Sequence, residues 1–443
     1  MGNVRRSFAL AAVLGLGGAA VAAPVEPRVV MISVDGLMPA YWLRADELGL
    51  KIPNLRKLMA AGAYARVTGV LPTVTYPSHT TLITGVPPRR HGIGANTYFD
   101  PQEKAAGAWR WYADEVQVPT LVSAARAQRV SSGSVSWPVS VGLFTDWNVP
   151  EYFRPGSEHA SDVRLLEALA TPGLVSAAAK ARGRAFAWPL TDDDRTDLAV
   201  HVLKTRRPRL MLLHIFELDD QEHDFGPMTP EAKAAVEASD AHIGQVLKAL
   251  DEAGTRASTL VAIVSDHGFL PVAKTIRPNT LLREAGLIDL DEKGKVKGWR
   301  AIFHSSGGSA ALHLADDAPA GTLERVKELL APRLADPESG LRDLLDAAAV
   351  ERFGGVDAPL VLNAREGWSI SHTPGGEWQV PGTSKGSHGH APDREEVQAS
   401  LVLAGPGVRS KGDLGVVSMT QIAPTLARVL GLSLDPAAGA PLP

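Results

Sequence analysis

The chain has 443 residues, 45% of them hydrophobic, and its mean hydropathy is close to zero. This balance is typical of a globular protein with a large core and argues against a disordered or membrane-spanning chain. The 45 basic and 49 acidic side chains nearly cancel and no long basic run is present, which argues against polymeric DNA or RNA as the main partner.

The N-terminus has the parts of a secretory signal peptide. An arginine pair at Arg5–Arg6, an apolar stretch over 8–23 and a small-residue cleavage site at 20–22 follow in order. The stretch is short for a bilayer and contains glycine, so we expect residues 1–23 to be a cleaved signal peptide rather than a membrane anchor. The arginine pair fits both general secretion and the twin-arginine route.

Cysteine is absent from the sequence. No disulfide can therefore form, and no lipid can be attached to an N-terminal cysteine. We expect a soluble, exported protein, periplasmic or secreted. Any metal site must be built from His, Asp and Glu, and these ligands suit zinc or manganese.

Four apolar segments are typical of buried strands, and each leads into a turn or a polar residue. They are Arg28–Val34 before Asp35, Arg209–Phe216 before Glu217, Thr259–Ser265 before Asp266, and Ala399–Ala404 before Gly405. Helical periodicity lies between them, most clearly over Glu231–Ala253. The alternation predicts an α/β fold with a central, mostly parallel sheet, helices on both faces, and functional groups at the carboxyl ends of strands.

The segment 271–385 departs from this rhythm. It is rich in Gly, Pro and charge and has only short strand-like pieces such as Ser309–Leu314. We expect one catalytic domain over 24–443, in which 271–385 forms a smaller inserted cap region that partly covers the site.

Acids and histidines gather where the predicted strands end. They are Asp35, Asp219, His223, Asp266, His267 and His388. Taken singly, each is also typical of a turn, a helix surface or a glycine-rich loop. Together, three carboxylates and three imidazoles can supply three ligands to each of two divalent ions and leave positions open for substrate.

Thr75 is the candidate nucleophile. It precedes a predicted helix from Pro77 to about Thr84, whose first-turn amides would hold a phosphate. A metal ion can lower the pKa of a hydroxyl enough to make it a nucleophile. The same position is typical of a helix cap, and the two roles are compatible.

These segments resemble the motifs of the nucleotide pyrophosphatase/phosphodiesterase family of the alkaline phosphatase superfamily. The matching segments are Thr75–His79 with His91–Ile93, Glu217–Pro227, Ser265–Gly268 and Ser387–Gly389. They occur in the family's order over nearly the whole mature chain. The resemblance implies an alkaline phosphatase-like fold and a zinc-dependent hydrolase of phosphate diesters that forms a phosphothreonine intermediate.

The resemblance also implies two zinc ions and a ligand set. The implied ligands are Asp35, Asp266, His267 and Thr75 for one ion, and Asp219, His223 and His388 for the other. Asn96 matches the position whose side-chain amide donates to a phosphoryl oxygen, although Asn is also typical of turns. His390 is the alternative to His388, because residues two apart on an extended segment point the same way. His79, His91 and His214 are expected to be structural.

The segment after Trp137 bears on the choice between diester and monoester substrates. Related monoesterases carry a Lys-x-Arg pair there, which meets the extra charged oxygen of a monoester. Residues 139–145 are uncharged in this chain, which favours diesters of a small-molecule phosphate ester such as a nucleotide. The alternatives are a phosphomonoesterase or phosphonate hydrolase of the same superfamily, and a non-catalytic phosphate- or nucleotide-binding protein.

Several residues of the same region have two interpretations. Arg154 and five aromatic residues either reach the substrate or pack the wall of the site, and packing is the more common role of aromatic residues at this density. The five are Trp137, Phe144, Trp147, Tyr152 and Phe153. Val139 stands where glycine is commoner in the related turn, which leaves the shape of the substrate pocket open.

Overall fold

The computed structural model describes Gly2 and residues 26–104, 108–152 and 160–443. Apart from Gly2, the predicted signal peptide over 1–23 lies outside the described residues, as do Phe153 and Arg154. Within the described ranges, no helix combines the length and the apolar character needed to cross a membrane.

The strands are numbered along the chain. They are β1 (Arg28–Val34), β2 (Ala63–Thr68), β3 (Ser132–Val135), β4 (Trp147–Val149), β5 (Leu210–Ile215), β6 (Thr259–Val264), β7 (Leu270–Ile276), β8 (Ile288–Leu290), β9 (Val296–Trp299), β10 (Ala301–Ser305), β11 (Ser309–Leu314), β12 (Leu341–Asp346), β13 (Leu360–Ala364), β14 (Gly367–Ile370), β15 (Gln379–Pro381), β16 (Gly386–Ser387), β17 (Ala399–Ala404) and β18 (Gly412–Ser418).

The α-helices are numbered in the same way. They are α1 (Pro39–Leu43), α2 (Ala45–Leu48), α3 (Pro53–Ala61), α4 (Thr75–Thr84), α5 (Pro88–His91), α6 (Leu121–Ala127), α7 (Ala160–Leu169), α8 (Leu174–Arg182), α9 (Asp192–Thr205), α10 (Glu217–Phe225), α11 (Pro230–Glu252), α12 (Asn279–Glu284), α13 (Thr322–Ala335), α14 (Ala347–Arg352) and α15 (Ile422–Leu430).

The main sheet of the described chain has eight strands in the order β18-β2-β17-β6-β1-β5-β3-β4. Alternate residues of β1 enter opposite cores. Val30 and Ile32 pack with residues of α9 and α11, while Val29 and Met31 pack with residues of α4 and α15. Helices therefore cover both faces, which confirms the predicted α/β class with a mostly parallel sheet.

Strand β17 is an exception to the parallel direction of β1, β5 and β6. The segment Ala399–Ala404 is a buried strand, but it runs antiparallel to both neighbours, β2 and β6. A fully buried apolar run has the same pattern in either direction, so the sequence does not reveal the orientation. The consequence for the site is that the residues preceding β17 arrive at the carboxyl ends of β1, β5 and β6.

Two helices illustrate how local signals set the boundaries. Thr229 caps α11 by accepting the N–H of Ala232, and Gly254 follows its end in a left-handed conformation with φ 67°. Helix α4 begins at Thr75, two residues earlier than predicted, after an extended Val74 whose side chain makes no cap. Thr75 is therefore the first helical residue rather than the cap.

The segment 271–385 contains more regular structure than its sequence predicts. Strands β10-β11-β13-β12 form an antiparallel sheet. Strands β14-β7-β15 form a mixed sheet, in which β14 is parallel and β15 antiparallel to β7. Phe303, Leu312, Leu330 and Leu362 are buried in a core of this region's own. The strands are short, and the pairing that stabilises several of them involves residues distant in sequence, so periodicity alone underestimates the regular structure of this segment.

Candidate functional site

The site lies where the three central strands β6, β1 and β5 end side by side, and these strands are parallel to one another. Asp35 directly follows β1, and Asp266 and His267 follow β6. Strand β5 leads into α10, which carries Asp219 and His223. Carboxyl ends of adjacent parallel strands are where open α/β sheets place their functional groups.

Asp35, Asp266 and His267 form the first group. The Nε2 atom of His267 lies 3.3 Å from Asp35 Oδ1 and 3.1 Å from Asp266 Oδ2. The other oxygen of each carboxylate has a partner: Asp266 Oδ1 accepts the N–H of Gly36 at 3.2 Å, and Asp35 Oδ2 lies 3.0 Å from His214 Nε2. One oxygen of each carboxylate therefore faces the interior of the group.

Asp219, His223 and His388 form the second group. His223 Nε2 lies 3.5 Å from Asp219 Oδ2, His388 Nε2 lies 3.7 Å from Asp219 Oδ1, and the two Nε2 atoms are 3.2 Å apart. Asp219 and His223 were expected at a strand end, but they occupy one face of α10 because residues four apart on a helix are neighbours.

Backbone carbonyls orient both histidines of the second group. His223 Nδ1 lies 3.1 Å from the oxygen of Gly386, and His388 Nδ1 lies 3.1 Å from the oxygen of Thr73. A carbonyl can only accept, so each Nδ1 donates and each Nε2 keeps its lone pair. Both lone pairs then face the same point beside Asp219.

The charge of the two groups is not balanced by the protein. Burial, reinforced by the neighbouring carboxylates, raises the pKa of Asp35 and Asp219 well above the usual range, and burial raises the pKa of Asp266 to about 6. Burial lowers the pKa of His267 and His388. Inward-facing atoms of the described site also have no hydrogen-bond partner, namely Asp35 Oδ1, Asp219 Oδ1, Asp266 Oδ2 and His267 Nε2.

Two divalent cations fit this arrangement. Each group offers three ligand atoms that lie within 4.8 Å of one another. A cation at each would offset the buried negative charge and satisfy the inward-facing atoms. Carboxylates and imidazoles without sulfur suit zinc or manganese.

The Thr75 segment contacts both groups. Thr73, two residues earlier, accepts from His388 and donates its hydroxyl to the backbone oxygen of His390 at 2.9 Å. His79 Nδ1 donates to the backbone oxygen of Thr75 at 2.8 Å and lies 3.6 Å from Asp266 Oδ2. The segment is therefore held between the second group and the first.

Asn96 is aligned beside the start of α4. Its Oδ1 accepts the N–H of Tyr76 at 2.9 Å, which leaves the side-chain NH₂ available as a donor. The N–H of Thr75 has no carbonyl within the helix to bond, because it belongs to the first turn. These two donors are the kind that stabilise charge on a phosphoryl oxygen.

His388 and His390 occupy different environments. His388 joins the second group, whereas the ring of His390 packs against Gly308, so closely that a side chain at position 308 would collide with it. Burial lowers the pKa of His390 to about 3. The structure therefore brings His388, and not His390, to the acids.

Two residues beside the site make contacts that were not predicted from the sequence. His214, which was expected to be structural, lies between Asp35 and the buried carboxylate of Glu151, 3.0 Å from each. A histidine within an otherwise apolar buried strand is a signal that could have been used, because buried polar groups need partners. Glu151 follows an edge strand and gives no comparable signal. His91 bonds locally to Thr81 and Ile93.

The described aromatic residues after position 136 mostly pack. Trp137 is fully buried, Trp147 packs against the main core, and Tyr152 lies against Trp111 with ring centroids 4.8 Å apart. Phe144 is 70% exposed. Val139 adopts φ 57°, a left-handed conformation that favours glycine and is strained for a β-branched residue.

Two cavities beside the site are lined in part by residues of the segment 271–385. One of about 530 Å³ is lined by Phe99, His304 and His372, and one of about 280 Å³ adjoins it. Both are lined by Thr97, the residue after Asn96. Neither is lined by the six acids and histidines, so the cavities lie beside the two groups rather than over them.

Three comparisons with known proteins agree with this picture. The sequence model of the family described as type I phosphodiesterase / nucleotide pyrophosphatase matches residues 29–391. Human ectonucleotide pyrophosphatase/phosphodiesterase family member 5 is 23% identical over 441 residues, covering 97% of this chain and 80% of that protein. Human family member 1 is 26% identical over 255 residues, covering 55% of this chain and only 23% of that relative's length.

Solved structures share the fold. An inactive variant of murine family member 5 in complex with AMP matches with a TM-score of 0.67 at 21% identity, covering 94% of this chain and 98% of that chain. This likeness confirms the alkaline phosphatase-like fold class. Because the family model spans the Thr75 segment and every acid and histidine of both groups, the chain belongs to the type I phosphodiesterase/nucleotide pyrophosphatase family.

Proposed function

We propose that this protein is a zinc-dependent phosphodiesterase that hydrolyses diesters or pyrophosphates of small nucleotides with Thr75 as nucleophile. The observation that carries the proposal is the position of the Thr75 segment, held to the second group through Thr73 and to the first through His79. Relatives named as nucleotide pyrophosphatases, and a structural neighbour bound to AMP, support a nucleotide substrate.

The two groups supply the proposed metal ligands. The first group with Thr75 would hold one zinc ion, and the second group would hold the other. When bound, such ions lower the pKa of a hydroxyl and neutralise charge on a departing oxygen.

The reaction proceeds in two displacements at phosphorus. Thr75 Oγ forms a bond to phosphorus while the bond to the leaving oxygen breaks, and the proton of the Thr75 hydroxyl ends on the leaving group. A water oxygen then attacks the phosphothreonine, the bond from phosphorus to Oγ breaks, and Thr75 regains a proton. Asn96 and the N–H of Thr75 donate to a non-bridging oxygen throughout, where negative charge develops.

The surroundings of Tyr76 favour a diester. Val139 and Val141 pack beside its ring in a buried apolar cluster. Neither supplies the positive charge that would meet the additional charged oxygen of a monoester. We further propose that residues 24–443 form one catalytic domain and that 271–385 act as its cap, because residues of this segment line the cavities beside Thr97.

Kinetics on two chromogenic substrates test the proposal. The catalytic efficiency on bis-p-nitrophenyl phosphate is compared with that on p-nitrophenyl phosphate, with zinc in excess. We expect a preference for the diester, and a fall on the order of 10³-fold or more for Thr75→Ala. The matched control is Thr205→Ala at the exposed end of α9, which should match the wild type.

Two results would contradict the proposal. A preference for the monoester would move the protein to the phosphomonoesterases. A zinc-loaded wild type that leaves both esters intact would favour a protein that only binds phosphate or nucleotide.

The predicted export remains a prediction, because residues 3–23 lie outside the described residues. We propose that the mature protein is periplasmic or secreted. Sequencing of its N-terminus from an exporting host should find cleavage close to residue 23. An uncleaved chain retained in the cytoplasm would contradict the proposal.

A further inference from the structure

A continuous polar path joins the residue after Thr75 to the first group. Tyr76 Oη donates to Glu151 Oε1 at 2.7 Å, Glu151 Oε2 lies 3.0 Å from His214 Nδ1, and His214 Nε2 lies 3.0 Å from Asp35 Oδ2. All four side chains are buried. The path thus connects the wall beside the nucleophile to a proposed metal ligand.

At one end of the path, the contact with His214 fixes the orientation of the Asp35 carboxylate. Because His214 Nε2 lies beside Oδ2, the other oxygen, Oδ1, faces His267 Nε2 at 3.3 Å. His214 reaches this position from the neighbouring strand, where it pairs with Ser33 in the register of β1 and β5. Groups placed behind a metal ligand in this way fix its orientation and raise its affinity for the ion.

At the other end, Glu151 holds the ring of Tyr76. Glu151 is itself fixed, because its N–H donates to Ser140 Oγ at 3.1 Å. The N–H of Tyr76 donates to Asn96, and its ring meets the edge of Trp109 with centroids 5.2 Å apart. The orientation of Tyr76 therefore depends on Glu151 as well as on helix α4.

Burial makes each link of the path consequential. Bulk water cannot replace a lost partner in the interior, so removal of one side chain leaves the next polar group unsatisfied. Replacing His214 should therefore change the orientation of Asp35 directly. Replacing Tyr76 should have little effect on Asp35, because Glu151 and His214 lie between them.

We propose that His214 and Glu151 are positioning residues. His214 orients Asp35 for the first ion, and Glu151, which contacts both His214 and Tyr76, fixes the orientation of the Tyr76 side chain. The inference rests on the proposed function only in taking the first group to bind a divalent ion. Its primary readout is ion affinity rather than turnover.

Two substitutions of His214 separate positioning from general packing. The amide of Gln stands near the place of Nε2 and can still hydrogen-bond Asp35, whereas the shorter amide of Asn stands near Nδ1 and reaches only the partners of that atom, Ser136 and Glu151. Zinc affinity is measured by competition with a chromogenic chelator at near-neutral pH. The matched control is His201→Asn on the outer part of α9, away from the site.

The proposal predicts a specific ranking. His214→Asn should weaken the binding of one zinc ion by about tenfold or more, the usual scale for partners of metal ligands. His214→Gln should restore most of that affinity, and Tyr76→Phe should leave ion binding unchanged while raising KM more than it lowers kcat. Equal losses in the Asn and Gln variants, or none in the Asn variant, would overturn the proposal.

A second measurement covers the case in which His214→Asn does not fold. In the wild type, the ring-nitrogen resonances of His214, assigned by comparison with His214→Gln, should shift in step with those of His267 as the first group fills with zinc. Unchanged His214 resonances would overturn the proposal. A wild type that binds no zinc would contradict both this inference and the proposed function, whereas one that binds two ions but hydrolyses no ester would contradict only the latter.

Discussion

The first and second groups offer similar ligands but are built differently. Side chains of the first group are at most 3% exposed and follow two adjacent strands of the main sheet. The second group comes from a helix and a loop, and its His223 side chain is 36% exposed. Its histidines depend on carbonyls of Thr73 and Gly386, which lie outside regular strands of the main sheet.

This difference indicates that the first group is the rigid part of the site and the second group the adaptable part. Strand pairing fixes the backbone of the first group, so its buried charges cannot separate and need a counter-charge. The second group can exchange its ion with water more readily. We therefore expect changes in the first group to have the larger consequences.

The largest effect is expected for Asp266→Asn. This variant should bind one ion fewer and lose catalytic efficiency on the order of 10³-fold or more. Its metal-free form should nevertheless be more stable to unfolding by about 1–3 kcal/mol, because Asn lacks the carboxylate whose pKa burial raises to about 6. Chemical denaturation without metal checks the sign, with the exposed Asp251→Asn as control.

The second group is tested by His388→Ala and His390→Ala. Loss of His388 should remove one ion and lower catalytic efficiency by about 10²-fold, because the remaining ligands keep the ion only weakly. His390→Ala should keep two ions per chain. Metal content after gel filtration distinguishes the variants, and two ions retained without His388 would contradict the assignment.

The pH dependence of stability comes next in size. An acid with a raised pKa in the folded chain contributes stability below its unfolded pKa, about 3.9, and this contribution is lost as pH rises through the folded pKa, about 6 for Asp266. Because the pKa values of Asp35 and Asp219 are also raised, the metal-free protein should continue to lose stability as pH rises further.

Zinc should therefore raise Tm more at about pH 8 than at about pH 5, where protons also compete for the ligands. The lowered pKa values of His267 and His388 act in the opposite direction, since their contribution is lost as pH falls below about 6.5. Thermal unfolding with and without zinc measures the increment. A larger increment at the lower pH would contradict the view that buried carboxylates limit the metal-free protein.

The smallest effect is expected for Ser384→Ala. The Ser384 hydroxyl lies 3.4 Å from His223 Nδ1, and the backbone oxygens of His223 and Gly386 are its acceptors at 2.7 and 2.6 Å. Its loss should weaken binding of the second ion by only about threefold, since Gly386 still orients His223. Zinc affinity is measured by competition, with the exposed Ser176→Ala as the control. A loss of affinity as large as that in His214→Asn would contradict the view that the second group depends less on its surroundings than the first.

Much of the fold and of the candidate site could be predicted because the signals are local. Asp35 and Asp266 directly follow apolar runs, and these runs are the strands β1 and β6. Asp219 and His223 were predicted from their position after an apolar run, and they lie on the helix that follows the strand β5. The family resemblance supplied the roles, which position alone does not give.

The parts that could not be predicted depend on contacts distant in sequence. His214 is separated by 63 residues from Glu151 and by 179 from Asp35. The direction of β17 is set by which edges of β2 and β6 are free, which is a property of the assembled sheet. The short strands of 271–385 are stabilised by pairing with one another rather than by a pattern visible along the chain.

The stereochemical course at phosphorus tests the central claim most directly. A diester made chiral with sulfur and an oxygen isotope would be hydrolysed, and the configuration of the product determined by ³¹P NMR. Two in-line displacements through a phosphothreonine at Thr75 predict retention of configuration, because each displacement inverts it. Inversion would mean a single attack by water and would contradict the assignment of Thr75 as nucleophile.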